Sequence, residues 1–146
     1  MFLGPSFDTM LPSNNFQAYG FSMGGEFLLS KDFGILIEYS KTHYYGSDKT
    51  GIFKNADYFF MGIGLLLSYH INISNNVEMY GAIGASYLNA TGTFGSISIL
   101  FSIDENKWVV IPAGKVGFRW LIDKNYAVRI GYTILRPISI GMDYTL

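Results

Sequence analysis

From residue 16 onward the chain alternates apolar and polar side chains with a period of two, in seven stretches: 16–29, 33–43, 58–70, 77–89, 109–121, 126–135 and 138–146. Successive side chains of an extended strand point to opposite faces, so this period predicts β-strands whose two faces meet different surroundings. The connections alternate as well. "SKD" (30–32), "INISNN" (71–76) and "IDKN" (122–125) are short and polar, as hairpin turns require. Residues 44–57 and 90–108 are long and rich in Gly, Ser, Thr and Lys, and read as loops on the opposite rim. The expected order is an antiparallel meander.

Sorted by side, one face carries bulky apolar and aromatic residues such as Phe21, Met23, Ile37, Ile63, Leu65, Val116, Phe118, Ile130 and Ile140, and no charge among the residues assigned to it. The other face is mostly Gly and Ser, and it also carries Glu26, Glu38, Glu78, Lys115, Arg119, Arg129 and Asp143. Lys41 departs from this sorting, near the long-loop end, where a lysine stem can lie along apolar surface while its ammonium reaches an interface.

Alternation alone also fits a soluble sandwich or ligand-binding calyx with the apolar face inside. Three features turn the chain inside out. The interior of an eight-stranded barrel is only wide enough for side chains to fill it, which suits the Gly- and Ser-rich face and not the bulky one. The polar face is thinly charged for a solvent surface, and its acids and bases nearly balance. Aromatic residues gather near strand ends, with Tyr69, Trp120, Tyr126 and Tyr144 by the short turns and Tyr19, Tyr58 and Tyr87 by the long loops. Such girdles mark the two membrane interfaces of a transmembrane barrel. A helical span is excluded, because the longest candidate, "YFFMGIGLLLSY", falls short of the roughly 18 to 20 apolar residues required.

The pattern therefore predicts an all-β, antiparallel, up-and-down transmembrane barrel occupying residues 1–146 as a single domain. Cations in so narrow a lumen need carboxylate partners, so the seven charged residues are expected to form an ion network. A last hairpin turning around Arg136 sets Arg129 opposite Asp143. Lipid leaves no open sheet edge affordable, so a strand must precede Phe16 to bring the count to eight. "MFLGPSF" (1–7) supplies it, shortened at its start, with an outer loop through "DTMLPSNN".

Composition narrows the rest. The chain has 146 residues, 49% hydrophobic and 14% charged, with no cysteine and a net charge of −1. No thiolate nucleophile, thiolate metal site or disulfide is possible, and there is no basic surplus for nucleic acid. The glycines of "MGIGLLL" and "YGAIGAS" lie within strands, so neither cradles a phosphate, and no cofactor or metal motif emerges.

The ending "SIGMDYTL", with Gly141, Met142, Tyr144 and Leu146, resembles the closing strand of bacterial outer-membrane barrels, departing from it in a terminal Leu where Phe is usual. That resemblance implies a recognition signal for the barrel-assembly machinery. The size, short turns, long loops and glycine-rich face are similar to OmpA-like, OmpX-like and opacity-type eight-stranded barrels. The implied protein lies in outer-membrane lipid, is not an enzyme, and has a narrow ion-paired lumen. Its long loops would meet a host or envelope partner, and "FGSISILFSI" within the second could add a strand to one. The alternative from another class is a lipid-modifying enzyme. Its base would be His43, near Ser40 and Ser47, or His70, which reads as an interfacial residue beside a short turn.

Overall fold

The computed structural model describes residues 1–9, 16–46, 56–93, 107–133 and 138–145. Eight strands follow one another: β1 (Phe2–Thr9), β2 (Phe16–Leu28), β3 (Phe33–Gly46), β4 (Ala56–Ser74), β5 (Val77–Thr93), β6 (Trp108–Leu121), β7 (Tyr126–Thr133) and β8 (Ile138–Thr145). Each pairs antiparallel with the next, and β1 pairs with β8, so the sheet closes into a barrel. The strand expected ahead of Phe16 is β1, hydrogen-bonded on both sides and as long as β7 and β8.

Period two governs the walls. On β3 and β7 buried and more exposed positions alternate along the strand. Bulky side chains point outward: Ile83 is 73% exposed and Val110 69%, while Glu38, Arg119 and Arg129 are buried inside. A soluble calyx would place these groups the other way round. Small lumenal residues make room for this arrangement. At Gly141, for example, a Cβ would lie 2.6 Å from both the Pro5 carbonyl oxygen and Ser6 Cβ across the β8–β1 seam.

The strands are steeply staggered. The row through Thr133, at the end of β7, runs through Lys115, Ala82 and Ser68 to Gly34, near the start of β3. This stagger gathers residues distant in sequence at one level of the lumen.

Two connections differ from the sequence reading. β4 continues through Ser74, leaving Asn75 and Asn76 as the turn. Ile71 and Ile73 extend the outward apolar series, and a register shift between Asn72 and Ser74 absorbs the mismatch with β5. In the last hairpin, Arg129 faces Gly141, and Asp143 faces Ala127. The register is set near the short turns, where Tyr126 lies opposite Tyr144 with ring centroids 5.2 Å apart and the Thr145 amide donates to the Asn125 carbonyl at 2.7 Å. The Arg129 and Asp143 side chains therefore meet diagonally.

Candidate functional site

Arg119 is the hub of the lumen. It is 1% exposed, and each edge of its guanidinium has an acceptor: Nε donates to Asp143 at 2.8 Å, Nη1 to Glu78 at 2.8 Å and Nη2 to Glu26 at 2.7 Å. The ring of Tyr80 covers the guanidinium at 5.5 Å. Glu78 lies directly opposite Arg119 on the neighbouring strand β5, and the stagger brings Glu26 of β2 and Asp143 of β8 to the same level. Arg129 Nη1 reaches the other oxygen of Asp143 at 3.3 Å, and Lys115 donates to Glu38 at 2.6 Å. All seven charged residues expected in the lumen thus take part in ion pairs.

An eighth member was not anticipated. His70 is buried in the lumen, with Nε2 2.6 Å from Glu26 and Nδ1 2.7 Å from Glu78. Both ring nitrogens face carboxylates, a geometry that a ring protonated on both nitrogens satisfies by donating twice. Ser68 donates to Glu26 at 2.5 Å. The reading of His70 as an interfacial residue is corrected by its place in β4: it continues the inward series of Gly62, Gly64, Leu66 and Ser68. With the imidazolium included, four lumenal acids (Glu26, Glu38, Glu78, Asp143) meet four cations (Lys115, Arg119, Arg129, His70).

Beside the ions sits a small apolar cluster, with Leu36 opposite Glu26 and Ala82 opposite Lys115. Leu36, Leu66 and Ala82 form a buried cluster against Ala113. Nearer the long loops, Tyr44 and Tyr58 stack at 5.2 Å with ring planes 12° apart, and Phe60 meets both rings edge-on. Tyr58 was expected in the outer girdle. It is 1% exposed and points inward, because its neighbour Phe59 takes the outward position and Tyr44 lies directly opposite. The other six expected girdle residues, Tyr19, Tyr69, Tyr87, Trp120, Tyr126 and Tyr144, are exposed on the outer wall.

Of the residues assigned to an assembly signal, Gly141 is inward, Met142 and Tyr144 are outward, and Leu146 lies outside the described residues. Beside the lumen, the Tyr80 hydroxyl is buried without a hydrogen-bond partner among the described residues. It packs against the facing glycines Gly117 and Gly131, where an added Cβ would lie 2.7 Å from the oxygen in each case.

His43 sits on the opposite surface. It projects from the outer wall, stacked on Phe59 at 4.2 Å, with Nε2 2.7 Å from Asp57 and Nδ1 3.0 Å from the Tyr19 hydroxyl. Ser40, one candidate nucleophile, is buried on the lumenal side of the same strand, so the barrel wall separates it from His43. Ser47 and the stretch "FGSISILFSI" lie outside the described residues.

No protein-family model and no curated protein sequence matches the chain. Among solved structures, the barrel is similar to a de novo designed transmembrane β-barrel, with a TM-score of 0.62 and 12% identity over 99% of this chain and 93% of that one. It is similar to the outer-membrane protein Ail of Yersinia pestis in a phospholipid nanodisc, with a TM-score of 0.59 and 16% identity over 98% and 97% of the two chains. It is also similar to the outer-membrane protein OprG from Pseudomonas aeruginosa, with a TM-score of 0.56 and 11% identity over 98% and 87%. The chain has the fold of the small eight-stranded outer-membrane barrels.

Proposed function

We propose that the protein is an integral outer-membrane protein with a sealed lumen, and that it acts through its long outer loops in surface interaction, adhesion or envelope structure. One observation carries this reading: the bore is filled at successive levels, by the Arg119 network, by Leu36, Leu66 and Ala82, and by Tyr44 with Tyr58. A channel would leave such a path open. The bulky apolar wall suits acyl chains, and the exposed aromatic residues at its two ends suit headgroup boundaries.

The interaction role is assigned to the connections between β3 and β4 and between β5 and β6, within residues 44–57 and 91–107, because these are long and polar in the sequence. Adhesion is favoured among such roles by the likeness to Ail, an attachment invasion locus protein also solved with the heparin analogue sucrose octasulfate. Ser68 Oγ lies 3.3 Å from His70 Nε2, but both residues are buried in the lumen and Nε2 faces Glu26 at 2.6 Å, so the pair is poorly placed to serve as nucleophile and base on a lipid.

Two measurements test the reading. Fractionated membranes should hold the protein as a heat-modifiable species that migrates differently before and after boiling. Purified protein in planar bilayers should give no large, stable conductance. Extraction without detergent overturns the membrane assignment, and a steady open-pore current overturns the sealed lumen.

A further inference from the structure

Apart from Asp57 at the outer end of β4, Lys41 is the only charged residue at outward-facing positions of the described strands. It lies opposite Phe21 on β2 and Met61 on β4, and among the described residues it forms no ion pair. The nearby carboxylate is already engaged, because Asp57 holds the His43 imidazole at 2.7 Å. What positions Lys41 is the face of Phe59, with the ammonium 5.4 Å from the ring centroid.

Depth follows from the neighbours. Asp57 and His43 are polar enough to require the headgroup region, and they mark its lower limit on this wall. Lys41 lies two residues below His43 on β3, about 7 Å along the strand and less along the membrane normal once strand tilt is included. An ammonium at that boundary needs an anion, and the anion found there in a bilayer is a lipid phosphate. Beside it runs a groove of about 360 Å³, lined by Phe7, Tyr19, Phe21 and Phe59 together with Lys41 and His43. A cation among aromatic side chains matches a headgroup joined to an acyl chain.

We propose that this groove binds one phosphate-bearing lipid of the outer leaflet, with Lys41 meeting the phosphate and an acyl chain lying against Phe7 and Phe21. The inference rests on the outer-membrane reading above.

The test uses the full chain in phosphatidylcholine nanodiscs doped with phosphorylated lipid A or with its dephosphorylated form, and native mass spectrometry then counts the lipid retained on release. Wild type should retain the phosphorylated lipid. Lys41→Gln should lower retention about tenfold, as expected for loss of one charge-assisted contact. Lys41→Arg should preserve it, and Lys124→Gln, in the turn between β6 and β7, should have no effect. Should Lys41→Gln not fold, Phe7→Ala keeps the charge and removes one wall of the groove, and should itself lower retention several-fold. Equal retention by wild type and the folded variants overturns the proposal, as does equal retention of the dephosphorylated lipid. Displacement by inorganic phosphate alone overturns the part played by the groove. Failure of the outer-membrane reading looks different: the wild-type chain would neither enter nanodiscs nor show heat-modifiable migration.

Discussion

Arg119 and Arg129 face each other directly across the β6–β7 ladder, both inside the barrel, and Asp143 binds one with each of its carboxylate oxygens. Like charges directly opposite on neighbouring strands repel. The carboxylate from the next strand bridges them and makes the pairing favourable. Removing it leaves two adjacent buried guanidinium groups short of an acceptor, so Asp143→Asn should cost about 3 kcal/mol or more. Urea unfolding in phospholipid vesicles measures this. Arg129→Ala should cost less in the Asp143→Ala background than in wild type, and additive costs would show that the diagonal contact contributes nothing.

His70 is expected to act as a structural cation. Replacement by Ala leaves Glu26 and Glu78 without their shared donor, beside an Arg119 that already serves three acids, and should destabilise the barrel by about 3 kcal/mol. Adding Glu78→Gln to His70→Ala should recover part of that loss by removing the surplus charge. If the double variant is as unstable as the sum of the singles, the two residues are not coupled.

At Gly131 the prediction concerns fit. A Cβ there would come within 2.7 Å of the Tyr80 hydroxyl, while its other close neighbours are at 3.2 Å and beyond. Gly131→Ala alone should destabilise by about 1 to 3 kcal/mol through overpacking. Tyr80→Phe removes an oxygen with no hydrogen-bond partner among the described residues, so it should be close to neutral alone and should rescue Gly131→Ala. Thermal or urea midpoints of the four chains decide the matter.

Tyr58 and Tyr19 provide a contrast between inside and outside. Tyr58→Ala should cost about 3 kcal/mol, as for an aromatic residue removed from a core. Tyr19→Ala, on the exposed wall, should cost distinctly less. Neither should open a conducting path in planar bilayers, since Leu36 and Leu66 still fill the lumen in both variants.

Architecture was legible in the sequence because a two-residue period survives reading without any three-dimensional information. It sorted Phe118, Ile130 and Ile140 from Arg119 and Arg129 correctly, and closure in lipid required a strand before Phe16. Less legible was anything set by the ends of strands. Ending the third stretch at His70 hid a buried cation, although its even-numbered position, shared with Gly62 and Ser68, was the available signal. Tyr58 was placed by its proximity to a loop, when its parity pointed inward. Partners across the lumen were harder still. Glu78 lies directly opposite Arg119, but Arg119 meets Glu26 and Asp143 only because the strands are staggered, and stagger depends on turn geometry that moved the last hairpin's pairing by two positions. The buried cluster around Leu36 and Leu66 went unforeseen because two large residues on a Gly- and Ser-rich face carry little weight in a pattern.

The Arg119 cluster gathers side chains from β2, β4, β5, β6, β7 and β8, so no hairpin by itself contains it. During insertion, a half-curled sheet would already hold Glu78 against Arg119 and Asp143 against Arg129, but Glu26 of β2 would still be apart from His70 and Arg119, and bringing it ionised and unmatched into hydrocarbon is strongly uphill. The full set of partners comes together only as β2 and β8 curl toward β6. Curling and membrane entry are therefore thermodynamically linked: the cluster withholds part of its favourable energy until the cylinder is nearly complete, and stalled intermediates are left hydrated at the bilayer surface.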